Sequence, residues 1–426
     1  MLAGTIREFP KHVSLGSLSS GLIAWLFGVT GPLLIVLQAA TEGHLSASEV
    51  TSWIFGIYVI PGLMTLLQAF VFQQPIGYAF SIPGAVLIGA TLVHHSYAQV
   101  IGAYIVAGLI ILLLGLSGVV ERVMRVLPMP VMMGMVSGVL LPFGVGLFKA
   151  VVANPMLNGI PLVVFLLLSF APGIAKKFPP ILGAVIATGV VLALAHEVHT
   201  QGVSFGVAAP HLYKPAWSVS TMGQLVLPLV LTVVAIQNAQ GIAVLKSEDY
   251  TPPINSMTRW SGIGSVLNAF LGAHTTCIAG PMTALLAGSE SGRKEAKYTA
   301  AVTLGVLSVL FGLFAPLAAS IPHMIPTSTI QMLGGIAMIS VLTDSLHMSF
   351  VATFKKSALF SFLITVSGVT IARIGAPFWG LVGGTCVSFL LEKGDYKKVT
   401  NRELEHPPGD LPEPDSGERA FETNLN

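Results

Sequence analysis

Long uncharged apolar runs alternate with short polar stretches from residue 13 to residue 391. A membrane crossing needs about 20 apolar residues. By that measure the pattern predicts fourteen helical spans, near 14–40, 51–71, 76–93, 99–119, 127–148, 159–175, 179–195, 220–245, 259–271, 275–289, 298–319, 327–349, 357–372 and 375–391. Two of them do not read as unbroken helix. Tyr78-Ala79-Phe80-Ser81-Ile82-Pro83-Gly84 and Thr275-Thr276-Cys277-Ile278-Ala279-Gly280-Pro281 each read as a short extended strand that turns helical halfway through its run. Lipid tolerates free backbone at that depth only where it lines a cavity, so both breaks are candidate binding sites. They recur about 197 residues apart, at matching places in two halves, which points to a transporter built of inverted repeats.

Folding the chain at the polar stretch from His196 to Trp217 lays Gln38 on Gln237, the Ser81 region on the Ile278 region, and Pro128 to Gly138 on Pro326 to Gly335. Seven spans per half require the second half to be inserted upside down. The expected fold is an all-α polytopic membrane protein, a 7+7 inverted repeat whose two half-helices aim their N-termini at one central point. Its segments are a cytoplasmic start (1–13), a first repeat (14–195), a linker (196–219), a second repeat (220–391) and a flexible, proline-rich, charged cytoplasmic tail (392–426). Lys and Arg gather in cytoplasmic loops. With both termini inside, 18 of the 21 basic residues fall there, leaving Lys149, Lys214 and Arg373 opposite. The first uncharged run, Val13 to Thr41, is too long for a signal-peptide core and reads as a span.

Composition removes other classes. With 53% apolar and 9% charged residues and a mean hydropathy of +0.80, the chain cannot present a water-soluble surface. Cys277 and Cys386 lie in separate apolar segments and suggest neither a disulfide framework nor a metal site. Gly202-Val203-Ser204-Phe205-Gly206 matches a hydrolase elbow, but it sits in the linker without the strand and helix that motif needs. No cofactor, metal, nucleic acid or enzymatic chemistry is expected. Gly134-x-x-x-Gly138 and Gly380-x-x-x-Gly384 fit close helix packing in lipid.

The centre carries no Asp, Glu, Lys or Arg firmly at mid-membrane. A helix N-terminus offers free N–H groups and about half a positive charge, so two such ends favour a ligand that brings its own negative charge. Candidate substrate contacts are Gln38, Tyr78, Phe80, Ser81, Gly84, Gln237, Asn238, Thr276, Cys277 and Ile278, with Gln240 and Thr275 beside them. Amides and hydroxyls can orient a carboxylate, Tyr78 and Phe80 can stack on a ring, and glycine lets a flat ligand approach the backbone. Single amides in spans also serve as interhelical glue, and Cys277 fits a packing role. His274 falls near a predicted span exit, where it would be solvated. Candidates for a proton role are Asp344, Glu290 and His274. Alternatively, a weak acid arrives carrying its own proton.

Phe80-Ser81-Ile82-Pro83-Gly84-Ala85, Gln237-Asn238-Ala239-Gln240-Gly241-Ile242-Ala243, Ile330-Gln331-Met332-Leu333-Gly334-Gly335 and Phe378-Trp379-Gly380-Leu381 together resemble the benzoate:proton symporter family. The resemblance covers nearly the whole membrane part. It implies import of benzoate or a similar aromatic carboxylate with a proton across a bacterial inner membrane. It further implies kinship with nucleobase and sulfate transporters, whose fold divides into a core (spans 1–4 and 8–11) and a gate (spans 5–7 and 12–14) and among which homodimers are common. Related nucleobase carriers place one carboxylate where Gln237 stands here and another near Ala279, so their absence argues for an anion over a neutral base. The Gly280-Pro281 pair departs from the alanine-rich run expected of the family. An anion channel or uniporter, or a carrier of another organic anion or a nucleobase on the same scaffold, is the alternative.

Overall fold

The computed structural model describes residues 8–118, 128–170, 180–198, 205–350, 353–371 and 376–396. The chain begins with α1 (Leu15–Thr30), α2 (Pro32–Glu42) and α3 (Ala47–Phe72). A short strand β1 (Tyr78–Phe80) runs directly into α4 (Ile82–Leu92), followed by α5 (Tyr97–Ser117) and α6 (Met129–Ala153). A π-helical turn, Pro155–Gly159, opens α7 (Ile160–Ser169), and α8 (Pro180–Leu194) leads to the linker. Beyond it come α9 (Val219–Leu231), a second π segment (Thr232–Gln237), α10 (Asn238–Ser247) and α11 (Ile254–Phe270). Strand β2 (Thr276–Ile278) enters α12 (Gly280–Ala287). The chain continues through α13 (Tyr298–Leu313), α14 (Ala315–Ala319), α15 (Ile321–Met324), α16 (Thr327–Phe350), α17 (Lys355–Val366) and α18 (Ala376–Leu391).

The protein is thus a mostly helical, multi-pass membrane protein. Seven helices among the described residues are long and apolar enough to cross a membrane. Leucines, valines and phenylalanines such as Leu113, Phe148, Leu167 and Leu363 stand exposed on their flanks, as expected where lipid replaces water. Arg122, Arg125, Lys176, Lys177, Arg373 and nearly all of the tail, which weigh in the charge count, lie outside the described residues.

Two helix groups pack separately around shared interfaces. In one, α13 lies on α1 and α3, α11 on α5, and α2 on α4, all surrounding the two strands. In the other, α6 packs on α16 and α17, and α17 on α18. The glycine repeats explain the second group. A Cβ at Gly134 or Gly138 would collide with Ala358 or Thr365 on α17, and one at Gly380 or Gly384 would meet Thr365, Ser361 or Ser357 on the same helix. Small residues on both neighbours therefore clamp α17 at backbone distance. The groups meet where α2 packs on α16.

Two predicted helices differ in detail. The first apolar run is not one rod: Pro32 lacks the N–H that would continue the ladder, and the run divides at Gly31 into α1 and α2. The eighth carries a six-residue π segment ending at Gln237. A wide turn of this kind rotates the following side chains and is often found at functional sites.

Candidate functional site

The strands pair antiparallel, with Tyr78 opposite Ile278, Ala79 opposite Cys277 and Phe80 opposite Thr276. The ladder extends by one bond at each end, Ser81 N to Thr275 O (3.2 Å) and Ala279 N to Gly77 O (2.9 Å). The two helix starts, Ser81 and Ala279, therefore sit at opposite ends of the pairing, four steps and about 13 Å apart along the strands. Both starts nevertheless border one small cavity, to which Ile82 contributes from α4 and Ala279, Pro281 and Met282 contribute from α12.

The start of α4 is closed. Ser81 Oγ accepts from the Gly84 amide (3.1 Å) and donates to Thr232 Oγ1 (3.2 Å). The Ser81 carbonyl accepts from His274 Nε2 (3.0 Å), while Trp53 Nε1 donates to His274 Nδ1 (2.9 Å). An indole N–H can only donate and a carbonyl can only accept, so His274 is held neutral with its proton on Nε2. It is fully buried. The expectation of a solvated residue at a span exit is corrected: the extended segment carries His274 into the centre of the fold, between Trp53 and Phe80.

The start of α12 is open. Ala279 has no side-chain cap to offer, Pro281 has no N–H, and the amides of Gly280 and Met282 have no acceptor among the described residues. This end faces a cavity of about 70 Å³ lined by Phe27, Pro32, Phe80, Gln237, Gln240 and Asp344, together with residues at the α12 start. Gly280 is needed for the geometry, since a Cβ there would come within 2.8 Å of Gln240 Cβ. At the far end of α12, the buried Lys297 ammonium donates to the Ala287 carbonyl and pairs with Glu248 Oε2 at 3.0 Å. A cation is favourable at a helix C-terminus.

The neighbours Gln237 and Asn238 take different tasks. Consecutive helical residues point about 100° apart. Gln237 lines the cavity and makes no side-chain hydrogen bond among the described residues. Asn238 turns into the protein, where its Oδ1 accepts from the Ile278 amide (2.9 Å) and its Nδ2 donates to Ser261 Oγ (3.2 Å).

Of the other predicted contacts, only Phe80 lines this cavity. Tyr78 is buried behind the strand, with its hydroxyl donating to Met257 O at 3.3 Å. Thr276 is fastened to Asn268 and Ser265, and Cys277 and Ile278 are fully buried packing residues. Gly84 packs against Ser81 and Leu229. Gln38 lines a different, larger cavity of about 690 Å³. Among the proton candidates, Asp344 lines the small cavity, whereas Glu290 sits exposed in a short turn beside the start of α1 and lines neither cavity. Sequence reasoning missed Phe27, Pro32 and Met282, which carry no polar signal.

An interrupted-span scaffold of this kind, with an open helix end at a small cavity, is that of a membrane transporter. Residues 11–390 match the family model described as benzoate membrane transport protein, and the chain belongs to that family. It is 29% identical over 394 residues to the benzoate membrane transport protein of Acinetobacter baylyi, covering 91% of this chain and 98% of that protein. It is 30% identical over 374 residues to the inner membrane protein YdcO of Escherichia coli, covering 87% and 94%. The fold resembles the transmembrane domain of the cyanobacterial bicarbonate transporter BicA, with TM-score 0.57, 17% identity and coverage of 87% and 97%. It also resembles SLC26A9, with TM-score 0.58, 13% identity and coverage of 88% and 64%.

Proposed function

We propose that the chain imports benzoate or a similar aromatic monocarboxylate together with a proton across a bacterial inner membrane. The reading takes fourteen spans with both termini cytoplasmic, arranged as a 7+7 inverted repeat. Spans 1–4 and 8–11 form a core that holds the solute, and spans 5–7 and 12–14 form a gate. Support comes from the two helix groups, from the antiparallel β1–β2 ladder expected of inverted halves, and from the family's name.

One observation carries it: the uncapped start of α12 and the free amide of Gln237 share a cavity with aromatic walls. A carboxylate placed there accepts from the Gly280 and Met282 amides and from Gln237 Nε2, and the ring lies against Phe80 and Phe27. Bonds to a charged acceptor are the stronger kind. Asp344, on α16 of the gate, is the one acidic residue lining that cavity among the described residues. The unequal cavities, about 690 and 70 Å³, support alternating access, with the wide one open at the outer side.

Gln237→Leu tests the site. Benzoate affinity, measured by thermal shift in detergent, is expected to fall at least tenfold, or about 1.4 kcal/mol, with the ligand-free Tm unchanged. Unaltered affinity rejects the site. Currents independent of a proton gradient and far above carrier turnover would select a channel instead.

A further inference from the structure

The larger cavity holds a carboxylate that the proposed mechanism does not use. Glu42 ends α2, half-buried, with its Oε1 accepting from Gln38 Nε2 at 3.0 Å. Its Oε2 lies over Gly89 of α4, where a Cβ would come within 3.0 Å of it. One oxygen is therefore held by its own helix and the other rests against the broken third span. The opposite wall of the cavity is built from α6, α16, α17 and α18, so Glu42 stands on one face of the seam between the two helix groups.

The charged and titratable groups around it are few. From α6 comes Lys149, exposed on the cavity wall, and after α4 comes His94. Gln224 from α9 and Gln331 from α16 are neutral. Between α2 and α3 stands His44, exposed, and Glu49 of α3 is engaged by the Ser46 amide and hydroxyl. Among the described residues the ion pair within 4.0 Å is Lys297 with Glu248, so none of the described cations neutralises Glu42.

An uncompensated carboxylate is tolerable beside a wide, water-accessible cavity and costly once that cavity shuts. If the two helix groups close on each other, Glu42 loses its water while keeping a single neutral partner, Gln38. We propose that Glu42 is the proton-loading residue of the outer cavity, which must be neutral before the seam can close. This rests on the proton-coupled import proposed above. The proton binds to a Glu42 oxygen from the outer solution and travels inward with the closed seam, and no other bond changes. Gln38 acts as a positioning residue that holds the carboxylate against α4.

The test uses right-side-out vesicles from cells making the full chain, with radiolabelled benzoate as the probe. Internal pH is held constant, and diffusion into vesicles lacking the protein is subtracted. In the wild type, lowering external pH from 8 to 6 is expected to raise initial uptake several-fold. Glu42→Gln, permanently neutral, is expected to lose at least four-fifths of that rise while benzoate exchange at equal pH stays within twofold. Gln38→Met removes a donor that favours the charged form, so the rise is expected to begin at higher external pH. A stimulated wild type with an equally stimulated Glu42→Gln overturns this assignment and leaves symport standing. A wild type without acid stimulation overturns symport itself. If Lys149→Gln reproduces the Glu42→Gln loss and the double variant is no worse, the two residues form an ionic latch on closure, and the assignment falls.

Discussion

The starts of α4 and α12 have nearly the same backbone and opposite chemistry. Ser81 lies at φ −76°, ψ 110° and Ala279 at φ −85°, ψ 104°. Each is followed, two residues on, by a proline suited to a first helical turn. The difference is one hydroxyl and its company. Ser81 satisfies its helix from within and is fastened by Thr232 and His274, whereas Ala279 leaves its helix with amides to spare. Two elements expected to act as equals thus differ: the start of α4 is braced by its own cap and neighbours, and the start of α12 keeps unpaired amides at the cavity.

Three substitutions probe that difference. The largest effect is expected at His274→Phe, which strands the Trp53 indole N–H and removes a donor from the Ser81 carbonyl. Each buried polar group left unpaired costs about 1–3 kcal/mol, so the lost stability should be about 3 kcal/mol by denaturation in detergent; a small change would show that the brace is dispensable. Next comes Ala279→Ser, which would give α12 the cap that α4 has. The new hydroxyl competes with solute for the Met282 amide, and a cap worth about 1 kcal/mol weakens benzoate binding roughly fivefold in a titration. Smallest for binding is Ser81→Ala, expected to cost about 1 kcal/mol of stability with benzoate affinity kept within twofold. A larger affinity loss there would mean both ends touch the solute.

The broken spans were legible because Ser81 to Gly84 and Ala279 to Pro281 carry helix-start chemistry inside apolar runs, a contradiction hydropathy alone cannot hide. The antiparallel pairing of β1 and β2 was not read from the sequence and emerges only in the folded chain. The split of the first run at Gly31-Pro32 was missed, because the unbroken apolar run concealed the helix-breaking proline. Gln237 and Asn238 were read as one functional pair, although helical geometry turns neighbours apart. The π segment before them has no composition of its own, because it arises from how α9 and α10 fit their surroundings. His274 was misplaced for a related reason: counting residues along a span assumes helical rise, and an extended stretch carries a side chain more than twice as far per residue. The cavity walls at Phe27, Pro32 and Met282 come from three separate segments that only the folded chain assembles.

Lys297 has a kinematic consequence. By gripping the Ala287 carbonyl and Glu248 at once, it ties the tail of α12 to the end of α10, the helix that begins one residue after Gln237. The amide that would recognise a solute and the helix end that would attract it are thereby yoked, and they should ride as one carriage. A passenger held between them would keep its grip throughout the journey, with only the surroundings sliding past.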